Sequence, residues 1–433
     1  MSLPADNTAL AAILNRHLTS LCREEGLSPE TIAAGLERGS MVLLGNPAHG
    51  AAPVLIGQPA RVKVNANIGT SPLCNSAESE RQKLAAALEA GTDTVMDLSI
   101  AGDLKAIRRS ILAACPRPVG TVPLYALARR CADAGKDPAR IEPEEIFEEV
   151  ERQAEQGVDF MTVHCGLTER GAARADEQGA RKLGIVSRGG SLLARWMKAR
   201  KKENPFLEGY DRILDIARRH NVVLSLGDGL RPGAGADAGD EAQWEEVVML
   251  GRLARQGLAA DVQCMVEGPG HVPLHLVRAQ IESIKTVCHG APLYVLGPLA
   301  ADTCPGHDHI AGAIGGALAV WSGADFLCCL TPAEHLTLPD QEDVRAGVMA
   351  SRLAAQAGEI ALGRPAALRR EQAMAEARKN LDWEGMRRAA LDPAAVLARR
   401  APHAHEEACA MCGDFCAVKM LRPQGTPWLF SLD

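Results

Sequence analysis

Three cysteines, Cys409, Cys412 and Cys416, fall within eight residues near the end of a 433-residue chain, with Gly413 between the second and the third. Sulfurs spaced this closely can converge on one metal centre without long-range folding, because glycine lets the chain turn back. Their number narrows the chemistry. A structural zinc or a fully ligated cubane takes four protein ligands. Three thiolates leave one corner of a 4Fe-4S cluster open, and an open iron can chelate a small molecule. The competing readings are a zinc completed by His403 or His405, and reduced thiols without metal.

Histidines form a second group. Glu267-Gly268-Pro269-Gly270-His271 and Thr331-Pro332-Ala333-Glu334-His335 each place an imidazole just beyond an apolar run. Two imidazoles delivered from separate strand ends can share a divalent metal, leaving its other positions to water or substrate. His307 and His309, with Asp308 between them, are a rival pair, and spacing alone does not choose. Two glycine-rich strings make a third group: Ser187-Arg188-Gly189-Gly190-Ser191 and Gly227-Asp228-Gly229-Leu230-Arg231-Pro232-Gly233. Hydroxyl, backbone N–H and guanidinium on small-residue loops are the combination that binds phosphate in barrel enzymes. Asn67, Met96, Tyr125 and His164 close further apolar runs in the same way.

The elements that must position these groups recur with a regular beat. Apolar runs at 62–67, 94–99, 119–125, 160–164, 183–187, 222–228, 262–267, 293–297 and 326–331 end in polar or glycine-rich tips, usually followed by an amphipathic helical pattern. That repetition predicts an α/β fold, a (β/α)₈ TIM-like barrel with its chemistry at the carboxyl ends of the strands. Nine runs are one too many, so one lies outside the barrel. A doubly wound open sheet is the competing architecture, but no G-x-G-x-x-G or P-loop follows any run. Ahead of the barrel, 10–40 reads as two short helices, the second capped by Ser28 with Pro29 at its first position. Small strands near 42–44 and 52–57 complete a collar or lid. After the barrel, 339–360, 372–381 and 383–391 look helical, with Leu353, Ala357 and Ile360 sharing a face, and 417–433 reads as irregular chain. The expected domains are a collar at 1–60, a barrel at 61–340, and a helical arm with the cluster tail at 341–433.

Composition excludes several function classes. Forty-seven basic against fifty-four acidic residues give a formal net charge of -7, and without a long basic block no nucleic-acid partner is expected. The first twelve residues lack the pattern of a secretory signal. The apolar stretch 310–330 carries Asp325 and ends like a strand, so it reads as packed core rather than a membrane span. Thirteen cysteines, mostly in apolar runs, fit a reducing cytoplasm better than a disulfide framework.

Read together, the strings Asn65-Ala66-Asn67-Ile68-Gly69, Val95-Met96-Asp97-Leu98-Ser99, Gly120-Thr121-Val122-Pro123, Ile185 to Ser191, Ser225 to Gly233, Glu267 to Pro273 and Thr331 to Leu336, followed by the terminal cysteines, are specific. From about Val62 to Met420 the chain resembles the phosphomethylpyrimidine synthases, the thiamine pyrimidine synthases among radical S-adenosylmethionine enzymes, in their short form. The resemblance implies a homodimer of barrels and a 4Fe-4S cluster that binds S-adenosyl-L-methionine. It also implies conversion of 5-aminoimidazole ribotide to 4-amino-5-hydroxymethyl-2-methylpyrimidine phosphate with loss of formate and carbon monoxide, and a reducing donor such as flavodoxin or ferredoxin. It assigns substrate contacts to Asn67, Met96, Tyr125, His164, Ser187, Arg188, Gly189, Asp228, Gly229, Leu230, Arg231, Glu267 and Tyr294. A divalent metal, zinc or iron, falls to His271 and His335, and the cluster to Cys409, Cys412 and Cys416.

Departures from the family pattern are few. Three residues rather than four separate Cys412 from Cys416, His307 stands where the family has Tyr, and Cys304 and Cys329 replace the expected Ala and Tyr. They keep open the close paralogue, 5-hydroxybenzimidazole synthase, which acts on the same ribotide in anaerobic cobalamin lower-ligand synthesis.

Overall fold

In the computed structural model, which describes residues 7–177 and 179–420, eight of the nine apolar runs become parallel strands. A short antiparallel pair, β1 (Val42–Leu44) and β2 (Val54–Ile56), precedes them. Then β3 (Lys63–Ile68), β4 (Thr94–Asp97), β5 (Val119–Thr121), β6 (Phe160–Val163), β7 (Val223–Leu226), β8 (Cys264–Glu267), β9 (Leu293–Leu296) and β10 (Phe326–Cys328) pair in sequence order, and β10 closes on β3. Almost every strand residue is buried, as expected of parallel strands sheathed by helices. Register matters for the chemistry, because it sets Asn67 beside Met96 and Glu267 beside Tyr294.

The ninth run, 183–187, is not a strand. It is a loop that leads into the helix Arg188–Arg200, whose first turn is capped by the Ser187 hydroxyl accepting from Gly190 N–H at 3.2 Å. The apolar residues that imitate a strand there stay at the surface, with Leu183 58% exposed.

The collar is a floor, not a lid. Its helices Thr8–Glu25 and Pro29–Glu37 enclose a small core of Leu10, Leu14, Leu21, Ile32, Leu36 and Met41, with Ser28 and Pro29 acting as cap and first residue. Its strand pair binds the polar residues that stand just before the barrel strands. Leu43 exchanges hydrogen bonds with Gln263 (2.7 and 3.1 Å), Asn46 N–H donates to Asp159 (2.7 Å), Asn221 donates to Gly45 O (2.8 Å), and Gln58 N–H donates to Asp325 (2.7 Å). The collar therefore covers the amino ends of the strands, opposite the tips.

Two compact units divide the chain, Met1–Leu362 and Gly363–Asp433. The helix Gln341–Ala361, assigned from sequence to the arm, packs on β3 and on the helix Asp308–Trp321 and so belongs to the first unit. Its buried face is made of Val344, Gly347, Val348, Ser351, Ala354 and Gly358, while Leu353 and Ala357 point outward. The second unit holds the helices Pro365–Lys379, Trp383–Ala389 and Pro393–Arg400 and the cysteine segment. Ala417–Met420 is a short helix rather than irregular chain, and the rest of the tail lies outside the described residues.

Asp325 is the test of the floor. It is buried and also accepts from Leu293 N–H and Lys285, both at 2.7 Å. Asp325→Ala strands three donors, so unfolding free energy should fall by about 3–5 kcal/mol, read as a lower urea midpoint. An unchanged midpoint would show that the floor does not depend on it.

Candidate active site at the strand tips

A cleft opens at the carboxyl ends of the barrel strands, where a barrel fold places its ligand sites. Of the residues expected to touch substrate, Asn67, Met96, Tyr125, His164, Asp228, Arg231, Glu267 and Tyr294 line it. Ser187, Arg188, Gly189, Gly229 and Leu230 do not, and act beside it. Ser187 Oγ lies 3.3 Å from His164 Nε2, and the Arg188 guanidinium sits 4.9 Å over the Tyr125 ring. Gly189 is pressed so closely on His164 that a Cβ there would fall 2.1 Å from the imidazole. Leu230 is fully buried and supplies its N–H, not its side chain, to this region.

The electrostatics follow from placing charges where water is scarce. Arg231, about a quarter of its side chain still open, bonds Asp228 at 3.0 Å. Burial pushes the Asp228 carboxyl up to about 8 against the pull of Arg231, and Glu267 adds to the push. Burial, with Arg231 nearby, drives His164 down to about 3, so its imidazole is neutral. Glu267 Oε1 accepts from Thr162 and Ser225 hydroxyls, both at 2.7 Å, and burial raises this carboxyl too. Tyr294 is held by stacking on Phe326, ring centroids 4.2 Å apart. Asn67 donates to Cys328 Sγ at 3.0 Å and accepts from Asn65 at 2.9 Å.

Several site residues escape sequence reasoning. Thr162 and Ser225 are polar interruptions in apolar runs, a signal that was there to read. Glu246 was not: it stands on the helix Glu241–Ala259 among Glu241 and Glu245, as if on a solvated face. Instead it is buried, accepts Leu230 N–H at 2.6 Å, and is pushed by burial to about 8.

His271 and His335 come together, their ring centroids 5.2 Å apart, closer than the 6.4 Å of His307 and His309. Each Nδ1 is engaged by a carboxylate, Asp302 at 2.8 Å and Asp308 at 3.0 Å. Each Nε2 is thus the nitrogen left for a cation, so the pair fits a divalent metal. His335 has φ +63°, a left-handed backbone that costs an L-residue about 1–2 kcal/mol, and such strain clusters at working sites. Among the described residues no set of three or more His, Cys, Asp or Glu converges on one ion. The protein would then offer two ligands.

The cysteine segment also fits its expected cofactor. Gly413, at φ +51°, opens a single helical turn, Gly413–Phe415, that spans the shortened gap. Phe415 N–H bonds Cys412 O at 3.0 Å and Cys416 N–H bonds Gly413 O at 3.3 Å. Cys412 is close enough to Cys409 and Cys416 to be pushed up by both after burial, while Met411 and Cys412 N–H groups hold the Cys409 thiol below its usual value. Three thiols on one short turn of chain are the donor set that a 4Fe-4S cluster with one open iron would take. His403 and His405 are exposed.

Architecture and cleft together define a (β/α)₈-barrel protein with a polar ligand pocket at its strand tips. The sequence profile of the Radical SAM ThiC family matches residues 6–423, and the chain belongs to that family. Phosphomethylpyrimidine synthase of Syntrophus aciditrophicus is 50% identical over 404 residues, 92% of this chain and 94% of that protein. The proteins of the same name from Desulfotalea psychrophila and Methanopyrus kandleri are each 48% identical, over 92% and 93% of this chain and 92% and 94% of their own lengths. A solved dihydropteroate synthase of Coxiella burnetii aligns with a TM-score of 0.39 and 12% identity over 74% of this chain and 99% of that one, too low to bear on function.

His164 gives a direct check of the cleft's electrostatics. Its imidazole should stay neutral from pH 8 to pH 5 in a side-chain ¹⁵N NMR titration. A midpoint near 6.5 would show that water reaches it.

Proposed function

We propose that the chain is a radical S-adenosylmethionine enzyme that converts 5-aminoimidazole ribotide to 4-amino-5-hydroxymethyl-2-methylpyrimidine phosphate in thiamine biosynthesis, releasing formate, carbon monoxide, 5′-deoxyadenosine and methionine. One observation carries the reading: eight residues that the family resemblance gives to this substrate line a single cleft. The alternative product, 5-hydroxybenzimidazole, draws on the shortened Cys412–Cys416 spacing and on Cys304, His307 and Cys329, and none of these last three lines the cleft.

Cys409, Cys412 and Cys416 would hold a 4Fe-4S cluster, which with bound S-adenosylmethionine supplies one-electron cleavage of a C–S bond and so the power to abstract hydrogen. The remaining work falls to the barrel. Arg231 and the Ser187–Gly189 loop hold the ribotide phosphate and so fix the ribose. Asp228, neutral below about 8, leaves the Arg231 charge to the phosphate rather than repelling it. Neutral His164 accepts or donates one hydrogen bond without adding charge, and the buried walls exclude water from a radical reaction. His271 and His335 would share a divalent ion that orients substrate or cofactor. Homodimer formation is supported by an uncovered apolar stripe, Ile310, Ile314 and Trp321, each about half exposed on the helix Asp308–Trp321. The electron donor would be a flavodoxin or ferredoxin.

Reconstituted, reduced protein given S-adenosylmethionine and the ribotide should yield the phosphorylated pyrimidine by mass spectrometry; a dominant 5-hydroxybenzimidazole signal would overturn the product assignment. Replacing Cys409, Cys412 or Cys416 with Ala should abolish 5′-deoxyadenosine formation and lower iron and sulfide content while the barrel melts as before. The ribotide Kd should rise above pH 8, by up to about tenfold per pH unit as Asp228 ionises and competes for Arg231, and Asp228→Asn should flatten that rise. A wild-type Kd constant from pH 7 to 9.5 would contradict the role given to Asp228.

A further inference from the structure

His271 and His335 reach the barrel mouth from opposite sides of a long sequence gap, beyond β8 and β10. The carboxylates that meet them stand on one connection: Asp302 on the loop after β9, and Asp308 at the first position of the helix Asp308–Trp321 that follows it. A neutral imidazole exists in two tautomers, and only the one with its proton on Nδ1 offers the Nε2 lone pair. A carboxylate on Nδ1 selects it, fixes the ring, and makes Nε2 more basic. Both histidines carry the same arrangement although their own surroundings differ, which sets this pairing apart from incidental surface ion pairs.

We propose that Asp302 and Asp308 are positioning residues for a divalent cation held by His271 and His335, an inference that rests on reading those histidines as its ligands. Asp302 is itself fixed, because its second oxygen accepts Gly235 N–H at 2.7 Å. That bond ties the metal side of the mouth to the loop that carries Arg231. Asp308 is 3% exposed, its Oδ1 meets His335, and among the described residues its Oδ2 has no hydrogen-bond partner. The two histidines are held unequally: the His271 side chain is 11% exposed, that of His335 48%. Packing restrains the first ring, whereas the second depends on its strained backbone and on Asp308. Losing Asp308 therefore costs more than losing Asp302.

Zinc alone is the probe, competed against a chromophoric chelator, on the full chain carrying Cys409→Ser, Cys412→Ser and Cys416→Ser so that tail thiols do not bind it. The parent should take up one equivalent, and His271→Ala or His335→Ala should lose it. Asp302→Ala should weaken zinc about tenfold and Asp308→Ala about a hundredfold, the span usual for partners of metal-binding histidines. Asp302→Asn and Asp308→Asn, which keep an acceptor oxygen and the side-chain size, should recover part of the loss, and they decide the matter if an Ala variant melts early. Aspartate variants within twofold of the parent, with the histidine variants silent, would overturn the proposal and leave the ligand reading standing. A parent that binds no zinc, or histidine variants that bind it fully, would overturn both.

Discussion

The cation of Arg231 is the constraint to which the mouth of the barrel is fitted. A guanidinium does not give up its proton in a protein, so its neighbours must adjust instead. Asp228 lies 3.0 Å away, yet burial holds it close to neutrality. His164 is kept from becoming a second cation. Burial presses on Tyr125 and Glu267 as well, and Arg231 draws both the other way. The result is a positive charge that its neighbours only partly answer.

The barrel separates what keeps it folded from what it does, over strands of three to six residues. At one end stand Asp159, Asn221, Gln263 and Asp325, each just before a strand and each bonded to the collar. At the other stand Asn67, His164, Asp228 and Glu267, at or near the strand ends, where the backbone is already satisfied by the sheet and the side chains line the cleft. A change at the floor therefore reaches the cleft only through the length of the strand. A change at a tip alters the cleft directly.

Much of this was legible in the sequence, because a parallel barrel writes itself as apolar runs with polar ends. The runs at 62–67 and 262–267 each gave a strand and a tip residue where expected. The run at 183–187 misled for a physical reason: Leu183, Ile185 and Val186 satisfy an apolar pattern, but no barrel edge remains for them to pair with, and Ser187 is needed to start a helix. Glu246, Asp302 and Asp308 were illegible because their partners lie on other elements, and an acidic residue on a helix or in a loop is by default a solvated one. Spacing alone could not rank the histidine pairs; the chain path brings His271 and His335 the closer of the two. The arm boundary was misplaced because the helix Gln341–Ala361 buries mostly glycine, alanine, serine and valine, and shows its larger residues to water.

All thirteen cysteines are free, and they differ in what guards them. Cys165, Cys264, Cys288, Cys328 and Cys329 are buried in the barrel, and burial raises every one of these thiols away from the reactive anion. Cys412 is open to solvent, and Cys409 beside it is held toward the thiolate. Oxygen and peroxides attack thiolates that they can reach. Apart from the exposed Cys74 and the partly exposed Cys22, Cys131 and Cys304, the thiols open to such attack lie in the tail, and the buried thiols of the barrel are spared longest. Air would leave a sound scaffold with a spent tail, and because sulfenic acids and disulfides are reversible, early damage of this kind can be undone by reductant without refolding anything.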